Sequence, residues 1–323
     1  RRFRSIFRWD IQQQRYIETI GMLGDPQYVT YSSTSDTIYF ADTSGLIQTL
    51  LREPSEDTWT QLPFSTISPV LSPCGLSMAG NYIFFCHGTD HYTLHPNGTL
   101  IDSAYHFDTE EFVWSEANQK MYFLNDRQYL LWEEINANGS AYDEEQPGGI
   151  AEISVQMKIS QRPILVMPDG SAVLLGSGAF HDGHSLERLV PSLSNDIDDA
   201  VFLDSAIYTI RSIPGLDATA QFQSWIGWAP ELNDTLEPEL NDTLEVPGTP
   251  LRLLGTTAES REILIGVTLT DNDALPAFYV LDKSFNLISP DELDAPSNLT
   301  AKVQSPTQID ISWNDITGET GYS

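Results

Sequence analysis

The chain has 323 residues, 41% of them hydrophobic, with 16 Lys and Arg against 46 Asp and Glu and a formal net charge of −30. That length and apolar content suit one large packed domain or two ordinary ones and exclude a disordered chain. The charge repels phosphate backbones and anionic lipids, which argues against nucleic acid as a partner, and no run approaches the ~18–20 apolar residues that cross a bilayer.

In chain order, "RRFRSIFRWD" at the start is basic but lacks the long apolar core of a signal peptide. It reads as an internal start, with an export signal expected upstream and removed. "FRWDIQQQRYIETIG" then reads as two outer strands of a sheet whose inner strands lie elsewhere in the chain. Next come four segments with one grammar, beginning at Tyr28, Leu76, Phe112 and Ile164. Each is a strand, a polar turn, a very apolar strand (Ile38–Ala41, Tyr82–Cys86, Lys120–Leu124, Ala172–Gly176), a second turn and a more amphipathic strand. "AVFLDSAIYTIRS" from Ala200 and "REILIGVTLTDNDALPAFYVLDKSFNLIS" from Arg261 follow more loosely. Roughly 35 to 50 residues separate the apolar strands, which is the period of propeller blades. A four-stranded sheet stacked between two others must be apolar on both faces of its inner strands, while its outer strand stays polar.

Several residues along this path are candidates for chemistry. Cys74 and Cys86, in "SPCGLSMAGNYIFFCHG", can form a disulfide across a tight strand connection or remain two buried thiols. His87, His91 and His95 are spaced by four, but Gly88 and Pro96 argue against a helix, and exposed turn histidines are the expected outcome. "HDGH" (His181, His184) reads the same way. Calcium is a candidate ligand for Asp196, Asp198 and Asp199 in "SNDIDDA" and for Asp271 and Asp273 in "TDNDA", although neither run matches an EF-hand loop. No other cofactor is implied. Trp225 and Trp228 in "FQSWIGWAP" either stack on a ligand or pack between blades. "PELNDTLE" occurs twice in tandem, at 230–237 and 238–245, and reads as a loop insertion. Sequons at Asn97, Asn138, Asn233, Asn241 and Asn298 fall in expected turns or loops. No G-x-S-x-G, phosphate loop or C-x-x-C-H occurs, so no catalytic residue is named.

"YVTYSSTSDTIYFADTSGLI" and "ILVMPDGSAVLLGSG" carry a resemblance to bacterial β-propellers with YVTN-like or quinoprotein-like repeats, over roughly residues 1–290. The resemblance implies an all-β propeller for residues 1–291, with seven blades favoured and six or eight as alternatives. "APSNLTAKVQSPTQIDISWND" is similar to the start of a fibronectin type III domain, with strands at Leu299–Val303 and Ile309–Trp313 and Trp313 as its core tryptophan. Residues 292–323 would be the truncated opening of such a β-sandwich, which needs about 100 residues, so a longer protein is expected.

Together these readings favour a non-catalytic module of a large secreted or cell-surface bacterial protein. Its expected partners are proteins or glycans, in recognition, adhesion or extracellular assembly, and the C-terminal strands offer a route to self-assembly. The alternative is a secreted carbohydrate-active enzyme, a glycosidase or lyase, with paired carboxylates in a central funnel.

Overall fold

A computed structural model describes residues 5–10, 15–22, 26–42, 46–53, 58–66, 73–105, 109–125, 129–140, 150–151, 162–190, 192–204, 206–216, 218–227, 238–258, 261–270, 276–288, 300–305 and 308–312. Among them every regular element is a strand. β1 (Ser5–Asp10) and β2 (Arg15–Gly21) form a hairpin of their own. Then β3 (Pro26–Ser32), β4 (Thr37–Asp42), β5 (Leu46–Glu53) and β6 (Thr58–Thr66) make an antiparallel meander. A second meander is β7 (Pro73–Ala79), β8 (Tyr82–His87), β9 (Asp90–Leu94) and β10 (Leu100–Tyr105). A third is β11 (Thr109–Ser115), β12 (Lys120–Asn125), β13 (Leu130–Glu134) and β14 (Ile150–Ala151). β15 (Ile164–Val166), β16 (Ala172–Leu175) and β17 (Phe180–Asp182) form a three-stranded sheet. Four strands return in β18 (Asp199–Leu203), β19 (Ala206–Ser212), β20 (Thr219–Ile226) and β21 (Glu239–Pro247). β22 (Thr249–Ala258), β23 (Arg261–Leu269) and β24 (Pro276–Leu281) form the next sheet, and β25 (Thr300–Ser305) pairs with β26 (Gln308–Ser312).

The core is divided into layers, and the layers follow chain order. Ile6, Ile20 and Met22 of the hairpin meet Ile38, Phe40 and Leu50. The opposite face of the same sheet, Tyr39, Ala41 and Ile47, meets Ile83, Phe85 and Leu94. Phe84 and Ala79 then turn the other way, onto Met121 and Ile135. Tyr122 and Leu124 pack on Val173 and Leu175, whose neighbours Ala172 and Leu174 pack on Ile207 and Trp225. Finally Tyr208, Ile210 and Phe222 pack on Leu253, Leu264 and Leu281. The period-two alternation of each second strand thus feeds two interfaces at once. That is why these strands are apolar at nearly every position instead of at every other one.

First strands of neighbouring sheets lie against one another: β3 touches β7, β7 touches β11, β11 touches β15, and β18 touches β22. These strands therefore form the inner edge of the stack. Four of them carry a β-bulge close to their start, at Pro26/Tyr28, Pro73/Gly75, Thr109/Glu111 and Pro250/Arg252. A bulge places two residues opposite one and re-aims the side chains that follow. An inner strand also has one row of backbone groups with no strand to pair with. Side chains fill that role across the sheet boundary. Thr30 Oγ1 on β3 accepts from Met78 N on β7 at 3.2 Å, Glu111 Oε1 on β11 from Ile164 N on β15 at 3.3 Å, and Asp199 Oδ2 on β18 from Leu253 N on β22 at 2.8 Å.

One expectation is corrected. The second "PELNDTLE" copy is a strand, not a loop: it spans Pro238–Glu245 and supplies most of β21, paired along β20 from Thr219↔Pro247 to Ile226↔Glu239. Only Leu244 and Val246 turn inward, so its composition is polar. The sequon at Asn241 accordingly lies in a strand, whereas Asn97 and Asn138 lie in turns. The first octapeptide copy, Asn233, Asn298 and Trp313 lie outside the described residues.

Candidate functional site

Four charged residues converge at the start of successive inner strands. Glu111 and Arg252 each occupy the position just after a bulge, in β11 and β22. Asp199 opens β18, and Arg162 lies two residues before β15. Taken in chain order the signs alternate: Glu111, Arg162, Asp199, Arg252. Glu111 feels the charges of both arginines and of Asp199. Arg252 Nη1 stands 3.8 Å from Asp199 Oδ2. Besides Leu253 N, Asp199 accepts Ala200 N at 3.0 Å.

Burial pushes both carboxyls above their ordinary values of 3.8 for Asp199 and 4.5 for Glu111, and the backbone bonds and guanidiniums pull them part of the way back. A carboxyl whose folded pKa is raised favours folding fully only while it is protonated in both states. Its contribution is present below the unfolded pKa and is lost as pH rises through the folded one. Asp199→Asn is therefore expected to flatten the decline of stability with pH in the mildly acidic range. Urea midpoints measured from about pH 4 to pH 7 check this, and parallel curves for the two proteins would refute it.

Beside this cluster lies a cavity of about 480 Å³, lined by Ser177, Ser194, Asn195, Asp196, Ile197, Asp198, Arg211, Ser212 and Pro214. Its walls come from the β16–β17 turn, the β17–β18 connection and the end of β19. Asp198 Oδ2 is held by Ser212 N at 2.6 Å and Ser212 Oγ at 2.9 Å, and Arg211 Nε donates to Ser212 O at 3.2 Å. The polar groups are thus oriented before any ligand arrives.

The three aspartates of "SNDIDDA" are split between these two places. Asp196 and Asp198 are exposed in the cavity, whereas Asp199 is 4% exposed and committed to backbone amides. Among the described residues no group of three or more His, Cys, Asp or Glu side chains is arranged to hold a metal ion. Asp271, Asp273 and Trp228 lie outside the described residues. Trp225 is 2% exposed and donates Nε1–H to Thr209 Oγ1 at 3.1 Å, so it packs between sheets and offers no ring to a ligand. Cys74 and Cys86 are paired, with Cα atoms 5.3 Å apart. Cys74 is the extra residue of the β7 bulge, which lets it reach the strand partner of Gly75.

The histidines correct another expectation. His87 and His91 are buried and His95 is exposed, and the strand register sets His87 opposite Asp90 and His91 opposite Cys86. His91 of β9 sits in the interface with the next sheet. Its Nδ1 faces Glu133 Oε1 at 2.6 Å, and its Nε2 faces Thr109 Oγ1 at 3.1 Å. Phe84, Phe112 and Phe123 surround the ring edge-on, with centroids 5.3, 5.2 and 5.0 Å away. A hydroxyl, an imidazole and a carboxylate in line can relay protons. At 3% exposure, however, Thr109 meets no substrate, and the trio joins two sheets. His181 is likewise buried, with Nδ1 2.9 Å from Leu186 O, while His184 is exposed. Lys120, which opens the apolar strand β12, is buried with its ammonium 3.6 Å from the centroid of the Trp132 ring.

No family model matches the chain, and no curated protein matches it. Solved structures do. A protein of unknown function from Desulfotomaculum acetoxidans DSM 771 superposes with a TM-score of 0.63 at 10% identity, over 89% of this chain and 92% of that one. The WD40 β-propeller domain of Doa1 does so at 0.55 and 15% identity, over 86% of each chain. The β-propeller domain of Swd1 from Myceliophteria thermophila gives 0.55 and 11%, over 82% and 86%. At these identities the likeness shows the fold alone. With the chain-ordered stacking of small antiparallel sheets, it makes this an all-β protein of the β-propeller kind.

Proposed function

We propose that the chain is a non-catalytic recognition module, a propeller that presents its loops to a protein or glycan. The observation that carries this reading is the use made of the inner-strand carboxylates. Glu111 and Asp199, the acids best placed for chemistry on the inner edge, each accept a backbone amide of a neighbouring sheet, at Glu111 Oε1 and Asp199 Oδ2, and Asp199 Oδ1 accepts Ala200 N of its own strand. The open polar space lies instead at the loops. In this reading β1–β2 supplies the outer strands of a seventh blade, and the repeats belong with the YVTN-like and quinoprotein-like propellers. β25 and β26 open a fibronectin type III sandwich, or pair with another copy to build an assembly. The acidic surface suits a secreted or cell-surface protein, and calcium at the Asp196–Asp198 loop is part of the same proposal.

A second reading, a carbohydrate-active enzyme, is favoured by one observation: Glu111 and Asp199 are close enough to sense each other and are both raised above the ordinary carboxylate range by burial. One experiment separates the two. The purified protein is applied to glycan and surface-protein arrays with and without calcium, and the same polysaccharides are assayed for new reducing ends. Saturable binding without turnover is expected. Reducing ends that appear with the protein and vanish with Glu111→Gln would replace the first reading with the second.

A further inference from the structure

The polar cavity is walled by a segment that backbone bonds hold in place. Leu193 N donates to Gly178 O at 2.9 Å and Ile197 N to Gly176 O at 2.8 Å, which stitches the β17–β18 connection to the β16–β17 turn. Asp198 N donates to Ile210 O at 2.9 Å and ties the same connection to β19. Burial then alternates along the chain: Asp196 and Asp198 are exposed, while Ile197 and Asp199 are each 4% exposed. Alternation puts Asp196 and Asp198 on one side of the segment, and both line the cavity.

The hydrogen bonds already made decide what these walls have left to offer. Asp196 makes none among the described residues, and Asp198 is engaged through Oδ2 alone, by Ser212 N and Ser212 Oγ. Asn195 Nδ2 donates to Ser194 Oγ at 3.2 Å, which leaves the Ser194 hydroxyl as a donor and the Asn195 side-chain oxygen as an acceptor. Arg211 gives its Nε–H to Ser212 O and keeps its terminal N–H groups. The lining therefore both donates and accepts, which suits hydroxyl groups. Its charge is not balanced: two carboxylates line the cavity against one guanidinium, on a chain of formal charge −30. An anion is repelled there, and a neutral ligand returns no charge to the two carboxylates it covers.

We propose that this cavity binds a small hydroxylated amine in its protonated form, the chemistry of an amino sugar. Asp196 and Asp198 take the ammonium, and Ser194, Asn195 and Arg211 take the hydroxyls. The volume of about 480 Å³ falls within the ~300–1,000 Å³ of small-ligand sites. This rests on the recognition reading and gives its loops a class of ligand. Calcium would compete for the same two carboxylates, so the amine is titrated without it.

Calorimetric titration of the full chain at about pH 6, where an amine is protonated, with glucosamine, N-acetylglucosamine, methylammonium and glucuronate tests the proposal. Glucosamine is expected to saturate one site. N-acetylglucosamine, which loses the charge, and methylammonium, which lacks the hydroxyls, should each bind about tenfold more weakly or worse, and glucuronate should not bind. Asp196→Asn and Asp198→Asn should each weaken glucosamine by about tenfold or more. Glu239→Gln, which removes an exposed acid on β21 away from the cavity, should change nothing. Unaltered urea midpoints would show that the variants fold. No glucosamine binding, equal binding of N-acetylglucosamine or methylammonium, full affinity in Asp196→Asn, or an equal loss in Glu239→Gln would each overturn the proposal. Array binding without glucosamine binding would sink this site and leave the recognition module standing, whereas silence in both would sink the two together.

Discussion

Glu133→Ala is expected to lower the folding free energy by about 3–5 kcal/mol, among the largest losses any single substitution in this chain should cause. The His91 and Glu133 side chains are 0% and 5% exposed, and three phenylalanines close the ring in. Removing the carboxylate takes away the oxygen that His91 Nδ1 faces in this apolar interface. Removing both partners is a different matter, because an apolar pair of similar volume carries no desolvation cost. The double variant His91→Phe/Glu133→Leu should therefore recover most of the loss, and its coupling with the single changes should be strongly non-additive. Urea unfolding of the four proteins measures this. A Glu133→Ala midpoint close to that of the parent would show that the pair contributes nothing to the join between the β7–β10 and β11–β14 sheets.

Phe222→Ala should cost about as much, about 3–5 kcal/mol, by a separate mechanism. Phe222 is fully buried at the centre of the layer between the β18–β21 and β22–β24 sheets, beside Leu253, Leu264 and Leu281. Its ring lies over Gly266 of β23, where an added Cβ would clash with Phe222 Cζ. The glycine is thus the seat of the ring, and the two positions are a matched pair. Gly266→Ala alone should destabilise by overpacking, by about 1–3 kcal/mol. In the Phe222→Leu background the same change should cost less, because the ring that blocked the methyl is gone. Chemical denaturation of the set checks both claims. Additive effects of the two substitutions would show that they do not share one space.

The strands buried on both faces were the legible part of this fold. β4, β8, β12 and β16 coincide closely with the apolar runs at Ile38–Ala41, Tyr82–Cys86, Lys120–Leu124 and Ala172–Gly176. A strand that feeds two interfaces cannot hide its nature. β21 was illegible for the complementary reason: at the outer edge only Leu244 and Val246 turn inward, so Asn, Asp and Glu fill the rest and the segment reads as a loop. His91 was missed because its partner lies 42 residues away on another sheet, and nothing in "TDHYTLHP" announces it. The inner-edge charges were missed for a topological reason. Glu111, Arg162, Asp199 and Arg252 are spread over 142 positions and meet only because each meander begins at the same edge. A faint trace existed in "DTEEFVW", where two acids interrupt the alternation at the site of a bulge.

The repeated octapeptide gives the β18–β21 sheet a spare. Because 230–237 and 238–245 are spelled alike, a contraction of the gene to one copy would leave the same letters available to lie along β20. The ladder from Ile226↔Glu239 to Ala220↔Val246 needs only that one copy and the Val246 that follows it. Copy number at this point is therefore a variable that inheritance can change in steps of eight, with the hydrogen-bonded edge of the sheet indifferent to the outcome.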